Sequence, residues 1–470
     1  MTDLERAFEA LNGKQKPYNR LFAYYEGDQP LTYMSSSRMQ KIFEGLDGYF
    51  AQNWCSVVID AVRDRINLRK IEVKGTAAST WKDLWEGSRL ELESDEVHEA
   101  ELIAGEAFVI CWKNDEGSME AYFNDPRMCH VFYDPQFPRK KSFAAKWYVD
   151  DADKMRLTLY YPNRLEYYRS RTLAKNVTKA ENFNAMNPAG ADNPTGEVPV
   201  FHFRKAKQVR SDLKNVVPIQ NAVNKLVTDM MVAAEFGAFK QRYVISNAEV
   251  QGKLKNSPDE IWDLPAGDGV GQQTQAGQFD ATPLSNYLEG IEKQVVAISS
   301  ITRTPKHYFF TIGSNISGEA LIAMESSLNK KAQDRIDRYA PEWKNLTLFM
   351  LKNSGVEVKA ADVTVRFDRP ETIQPYTQAQ TRQANSAAGI PLETTLREEG
   401  KSEEEIKQVM DDLAKQETNK QIALAKSLLA SQRNFDQNAG PTSNPIPTPS
   451  TNGRTQPGNG NNGGAVNNAG

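Results

Sequence analysis

Cysteine is scarce. Cys55, Cys111 and Cys129 are the three in 470 residues, too few and too scattered for a disulfide framework or a Cys-rich metal site. They read as small apolar core residues of a reducing compartment. Histidine is scarce too: the four, His98, His130, His202 and His307, lie far apart, so no metal and no cofactor is expected. No run approaches the roughly 20 apolar residues of a membrane span. The start, MTDLERAFEALNGK, lacks a basic region followed by an apolar core, so no secretory signal and no membrane partner is expected. Sequons such as Asn176-Val177-Thr178 then carry no glycosylation meaning. Positive charge is also in short supply, with 57 Lys and Arg against 61 Asp and Glu and a net charge of -4. That balance argues against tight, sequence-independent gripping of nucleic acid, which needs clustered cations to displace counterions from phosphates. It leaves open a nucleic acid that passes nearby without being gripped.

Catalytic signatures are missing as well. GDGVGQQT, Gly267 to Thr274, has the glycines of a phosphate-cradling loop but neither the lysine nor the strand-to-helix setting. HEAEL at His98 begins like a zinc-protease helix and lacks the second histidine. No G-x-S-x-G elbow is present. Glu101 and Glu106 flank Gly105, and Asp125 and Asp134 sit beside prolines. Such carboxylates could be imagined as metal-binding nuclease ligands, but turn and cap chemistry is the favoured reading. No enzyme is expected.

What is present is a clear change of period along the chain. Thr2 caps a first helix with Glu5 as its capping-box partner, and KPYNRLFAYYEG extends it to Gly27. Val58, Val62 and Ile66 mark an amphipathic helix, and INLRKIEVKG alternates as a strand ending at Gly75. Another helix is expected from about Asp95 to Ala104. From Glu106 the period becomes two. AFVICW, MEAYF, CHVFY, FAAKWYV, RLTLYY and RLEYY predict a mostly antiparallel sheet with helices before it, hence an α+β class. Ala174 to Gly196, with NPAGADNPTG, reads as an exposed loop, and GEVPVFHF as one more strand.

Helical spacing then takes over. Val216, Ile219, Val223, Leu226 and Met230 stripe a segment from Ser211 to about Gln241, and a polar insert follows to Pro283. Leu284, Leu288, Ile291, Val295 and Ile298 stripe a second helix, with Thr282 as N-cap and Pro283 at its first position. The loop HYFFTIGSNISG, His307 to Gly318, feeds a third helix striped by Leu321, Leu328, Ile336, Tyr339, Trp343 and Leu346. Continuous from Ser317 to Asn353, it would be about 55 Å long, with a kink expected at Pro341. Helices of that length with one apolar stripe need each other or a neighbouring subunit to lie against. VTVRF, Val363 to Phe367, reads as a strand returning to the earlier sheet, which makes the helical section an excursion from an α/β body. After Pro370 come a Gln/Ala-rich helix ending near Gly389, LETTLREEG ending at Gly400, and SEEEIKQVMDDL with a capping box from Ser402 to Glu405. Glu393 to Asp412 holds eight acidic and three basic residues, an acidic helical cap. From about Asn434, Asn, Gly, Pro, Ser and Thr dominate and disorder is expected.

These segments, in this order, resemble portal proteins, the head-to-tail connectors of tailed double-stranded-DNA bacteriophages of the siphophage type. The resemblance rests on YNRLFAYYEG, WCSVVIDAVRDRINLRKIEVKG, ELIAGEAFVICW, NDPRMCHVFYDP, GEVPVFHFRK and VVPIQNAVNKLVTDMMVAAEFGAFKQRYV. IWDLP and RTPKHYFFTIGSNISGEALIAMESSLNKKAQDR complete it. It covers roughly Tyr18 to Leu413, and SGEAL is its most specific piece.

The resemblance implies a portal-like fold: a mixed α/β wing with long stem helices, a small clip insert and a helical C-terminal crown. It lays the wing on 1–210 and stem helices on 211–241 and 284–303. The clip falls on 242–283, a tunnel loop on 304–317, and the long helix with its returning strand on 318–371. The crown takes 372–432, and a disordered tail takes 433–470. It further implies a homo-oligomeric ring, typically a dodecamer, at the capsid vertex of the virion, assembled in the host cytoplasm. Its channel would pass double-stranded DNA without sequence specificity. Its partners would be the terminase large subunit, the major capsid and scaffolding proteins, and a head-completion adaptor. His307, Tyr308, Thr311, Gly313, Ser314 and Asn315 would face DNA, Ser317, Gly318 and Glu319 would open the long helix, and Asp259, Glu260, Asp263 and Asp268 would serve docking at the clip. Bulky replacements of Gly313 and Asn315 are expected to impair DNA packaging and leave assembly intact. The competing readings are another head-tail connector or adaptor and, less favoured, a carboxylate-dependent DNA nuclease.

Overall fold

The computed structural model describes residues 1–29, 52–238, 240, 242–246, 274–310, 318–371, 375–401 and 403–438. The chain divides into two compact units, Met1–Pro375 and Tyr376–Gly470.

The first unit opens with α1 (Asp3–Glu26), one continuous helix. Thr2 and Glu5 form the expected capping box, and Gly27 closes the helix in the left-handed conformation at φ 87°. Next come α2 (Trp54–Arg63), β1 (Leu68–Val73), α3 (Ala77–Gly87) and α4 (Leu90–Ala104). The sequence reading passed over α3 and began α4 five residues late, at Asp95 instead of Leu90. The causes differ: Trp81 and Leu84 are the only large apolar residues of α3 that are buried, and the first turn of α4 carries Glu91 and Glu93.

The predicted strands then appear as β2 (Glu106–Lys113), β3 (Met119–Asn124), β4 (Cys129–Tyr133), β5 (Lys141–Val149), β6 (Lys154–Tyr160) and β7 (Arg164–Leu173). They form two sheets instead of one. With β8 (Phe183–Asp192) and β9 (Val200–Arg204), the orders are β3-β2-β9 and β4-β5-β6-β7-β8, antiparallel throughout. The β8 segment corrects the expected loop over Ala174–Gly196. It is an edge strand with most of its residues exposed, so it shows no apolar alternation. Its Pro188 is tolerated because an edge leaves one side of the backbone unpaired. Gly190 is required there, because a Cβ would sit 2.0 Å from the Leu165 carbonyl oxygen.

The helical excursion follows: α5 (Val217–Ala238), β10 (Arg242–Ser246), β11 (Thr274–Gln278), α6 (Ser285–Thr302) and α7 (Gly318–Asn353). A Cβ on Gly290 would touch Leu226, and one on Gly237 would touch Ala281, so α5 and α6 run antiparallel. β10 and β11 pair antiparallel between them. The expected Thr282–Pro283 cap is not made: α6 begins at Ser285, and Leu284 occupies the cap position without a side-chain hydrogen bond. α7 continues through Pro341 without a break in helical assignment. β12 (Val363–Phe367) does return, but to β1, in a separate two-stranded antiparallel ladder.

The largest apolar cluster joins α2, α3, α4 and α7 with β1, β2 and β9 and takes in one face of α5 and α6. Leu328, Ile336, Tyr339, Trp343 and Leu346 of the predicted α7 stripe are buried in it. All three cysteines are buried and free. Among the described residues, no helix is long and apolar enough to cross a membrane.

In the second unit, α8 (Pro375–Ala387) ends before Gly389, and α9 (Leu392–Glu398) ends before Gly400, both glycines at positive φ as the spacing predicted. The acidic segment spans α9 and the start of the long α10 (Glu403–Asn438), which runs past Asn434, where loss of structure was expected. Residues 439–470 and the Ser402 cap lie outside the described residues.

Candidate functional site

Charged residues sitting on apolar helix stripes define the chemistry of this chain. Arg335 lies on the α7 stripe between Leu328 and Tyr339 and is almost wholly buried. Its guanidinium donates to both oxygens of buried Glu101 on α4, at 2.8 and 3.0 Å, and to Asp212 Oδ1 at 2.5 Å. The Tyr339 hydroxyl also donates to Glu101. Lys331 Nζ stands 3.0 Å from Asp212 Oδ2, and Lys205 Nζ 3.9 Å from Oδ1. Burial would raise the Asp212 pKa, but Arg335, Lys331 and Lys205 outweigh it and hold the carboxyl below its ordinary value. The hub therefore joins the sheet-bearing body, the segment leading into α5, and α7. The backbone tightens the same junction: Gly105 at φ 92° lets Arg210 and Ser211 approach, where a Cβ would lie 2.5 Å from the Arg210 carbonyl carbon.

A second hub centres on Glu106, at the start of β2. It accepts from Tyr18 at 2.7 Å, pairs with Lys14 at 2.5 Å and meets His202 Nε2 at 2.9 Å. The Tyr133 hydroxyl contacts His202 Nδ1 at 3.1 Å. Burial alone would raise the Glu106 pKa, yet Lys14 and His202 together pull it far below the usual carboxylate range. Burial lowers the His202 pKa in turn, against the pull of Glu106. A neutral imidazole donating through Nε2 and accepting at Nδ1 satisfies both neighbours.

Glu101 and Glu106 thus depart from both sequence readings. They are neither metal ligands nor turn residues. Each is buried and paired to a partner far away in sequence. The overlooked signal was periodic: Lys14 continues the Ala7–Leu11 face of α1, and Arg335 continues the Leu328 face of α7. A charge on an apolar face needs a buried partner. Asp125 and Asp134 do perform turn chemistry, accepting from the Arg127 and Gln136 backbone N–H groups at 2.7 and 2.8 Å. Among the described residues, no group of three or more His, Cys, Asp or Glu side chains could hold a metal ion.

The third arrangement is the base of the loop before α7. Arg303 ends α6 at φ 61°, and Ser299 Oγ donates to the Thr304 carbonyl at 2.7 Å, fixing the exit. Arg65 then donates to the Tyr308 hydroxyl at 2.6 Å and to Asn329 Oδ1 at 2.9 Å, and pairs with Glu325 at 3.2 Å. His307 Nε2 lies 3.3 Å from Glu325 Oε1. Phe309 is buried with its ring centroid 5.6 Å from that of Trp54. His307 and Tyr308 are therefore half-buried and engaged with Glu325. Gly318 is the first residue of α7. Thr311, Gly313, Ser314, Asn315 and Ser317 lie outside the described residues, as do Asp259, Glu260, Asp263 and Asp268 and the Glu319 side chain.

These three arrangements describe a scaffold, with its deeply buried charges tying helices to sheets around a helical excursion. The chain belongs to the SPP1 Gp6-like phage portal protein family, whose sequence pattern matches residues 10–422. It is accordingly a structural, non-enzymatic component of the head-tail connector, placed at the portal vertex of the virion. No curated protein matches the chain. Among solved structures, it is similar to a chain of the neck of a native GTA particle computed with C12 symmetry. The TM-score is 0.47 at 9% identity, over 83% of this chain and 94% of that one. A chain of the neck of an empty GTA particle computed with C6 symmetry gives 0.43 at 10% identity, over 78% and 93%.

Proposed function

We propose that copies of this chain close into a ring whose central channel passes double-stranded DNA during packaging and ejection, and whose clip docks the packaging motor and later the head-completion proteins. In this reading, the sheet-bearing body with the β1–β12 ladder is the wing, α5 and α6 are the stem, and 242–283 form the clip. Residues 304–317 form the tunnel loop, and the second unit supplies the crown.

The observation that carries the reading is the excursion itself. β1 and β12 pair although nearly the whole described first unit lies between them, and the β10–β11 pair falls between the antiparallel α5 and α6. Among the described residues of the excursion, several large apolar side chains are exposed. Leu288 is 56% exposed, Ile301 51%, Ile245 60% and Phe279 60%. Apolar patches rimmed by polar residues mark interaction sites, and adjoining copies in a ring would cover them. A closed ring requires two different, complementary faces on each subunit. The mild net negative charge suits sliding, since each added phosphate contact strengthens binding and brakes movement.

Electron microscopy of the purified protein tests the reading. Rings with a central hole as wide as a DNA duplex are expected. A population of subunits that never closes into rings, at any salt or concentration, would exclude it.

A further inference from the structure

From the charge distribution on opposite sides of α4, we propose that neighbouring copies dock head to tail through a basic cleft on one subunit and an acidic face on the next. This rests on the ring reading above and names the surfaces that make the ring.

The cleft, about 670 Å³ in volume, lies between the segment leading into α5, the end of α6 and the middle of α7. Five cations line it: Lys205, Arg210, Arg303, Lys330 and Lys331. Of its two carboxylates, Asp212 is already matched by Arg335 and Lys331, and Asp334 lies 3.5 Å from Arg338. Arg210, Arg303 and Lys330 are exposed and have no side-chain partner among the described residues. The surplus is therefore positive. Burial first, then Arg335 and Lys331, lower the Lys205 pKa, against the pull of Asp212 and Glu101.

The opposite face is the reverse. Glu91, Asp95 and Glu99 recur every fourth residue on α4, and Glu96, Asp60 and Asp64 extend the patch. Among the described residues, Arg63 is the cation that answers them, 2.6 Å from Glu99 and 3.2 Å from Asp60. Burial and then neighbouring carboxylates raise the Glu96 pKa; burial likewise raises Asp95, against Arg63 and with Glu99 and Glu91. Glu101, which faces Arg335 beneath the cleft, lies two residues beyond Glu99, about 200° further round the helix at about 100° per residue. The two charge surfaces are thus presented on opposite sides of one rigid element. A heterologous ring contact needs that arrangement. A nucleic-acid phosphate could also answer the cleft, but it would leave the acidic face unexplained.

Three variants are compared with the wild type by light scattering and negative-stain microscopy: R210E/K330E, E91K/D95K, and the combination of all four. Each two-site variant is expected to shift at least tenfold toward free subunits at wild-type concentration, and the combined variant to restore rings. The milder D95N/E96Q pair is expected to raise the melting temperature of the free subunit while weakening assembly, a combination that a folding defect cannot produce. Wild-type rings together with unchanged rings in both reversals would overturn the proposal and leave the ring reading standing. Intact rings that lose only DNA retention in R210E/K330E would reassign the cleft to nucleic acid. A wild type that forms no rings removes the ring reading and this inference together.

Discussion

Arg335 grips Glu101 across 234 positions of sequence, through two hydrogen bonds of 2.8 and 3.0 Å between side chains that are almost wholly buried. Removing one partner of a buried pair strands the other charge in a poorly solvated site, which typically costs about 3–5 kcal/mol. Arg335→Met is expected to destabilise the subunit by about that amount in denaturant unfolding. Arg335→Lys should recover only part of it, because an ammonium cannot serve two carboxylates with the same fork geometry. A loss under about 1 kcal/mol for the methionine variant would show that Glu101 is neutralised by other means.

Acid should weaken the body through its histidines. His98 is fully buried, stacks on Tyr339 with centroids 4.8 Å apart, and accepts from Trp343 Nε1 at 3.0 Å through Nε2. That acceptor role requires the neutral ring, and burial lowers the pKa to about 3. The unfolded chain therefore binds this proton at higher pH than the folded one, from about pH 6.5 downward. The stability His98 contributes is full above about pH 6.5 and declines as pH falls toward about 3, by up to about 1.4 kcal/mol per pH unit. His98→Phe keeps the stacking and removes the titration. It should cost about 1–3 kcal/mol at pH 7, from the stranded Trp343 N–H, yet flatten the stability profile between pH 6 and 4 by about one proton. An unchanged slope in chemical denaturation across that range would refute the assignment.

The residues that defeated the sequence reading share one property: their partners are remote. The β2 to β7 runs were legible because alternation is local, and both ends of α1 were legible because capping is local. Glu101, Glu106, Lys14 and Arg335 look like ordinary surface charges until the fold brings α1, α4, β2 and α7 together. β8 was missed for a different reason. An exposed edge strand needs no apolar face, so its polar and Gly/Pro content matched a loop. The Thr282 cap failed in the opposite way: the local signal was present, but α6 starts two residues later, beyond Pro283. The loop ahead of α7 stood out through its aromatics and glycines, but not through Arg65, in the turn after α2, and Glu325, on α7, which hold its base.

Gly105 offers a test of the backbone junction that is independent of charge. Its φ of 92° and the 2.5 Å approach to Arg210 leave no room for a methyl group. Gly105→Ala combines left-handed strain with a backbone clash and should destabilise by more than about 2 kcal/mol. Gly117, also at positive φ but with open space around it, serves as the comparison, and Gly117→Ala should cost only about 1 kcal/mol. Equal melting temperatures for the two variants would mean that the 205–215 segment can move away from α4.

The base of the loop and its tip should separate experimentally. Arg65 makes three contacts at that base, with Tyr308, Asn329 and Glu325. Arg65→Ala leaves the Asn329 amide oxygen without its Arg65 donor and Glu325 without its cation, with only His307 and Tyr308 still beside it, so a loss of about 1–3 kcal/mol in subunit stability is expected. If the tip contacts moving DNA, replacing Gly313 and Asn315 with bulky residues should lower packaged DNA per particle without shifting the melting temperature or ring yield. Arg65→Ala should lower both stability and packaging, because the anchor serves the loop through the fold. Normal packaging in the Gly313/Asn315 double variant would remove the loop's contact with DNA. Normal packaging in Arg65→Ala, with the expected stability loss, would show that the anchored base and the DNA path are independent.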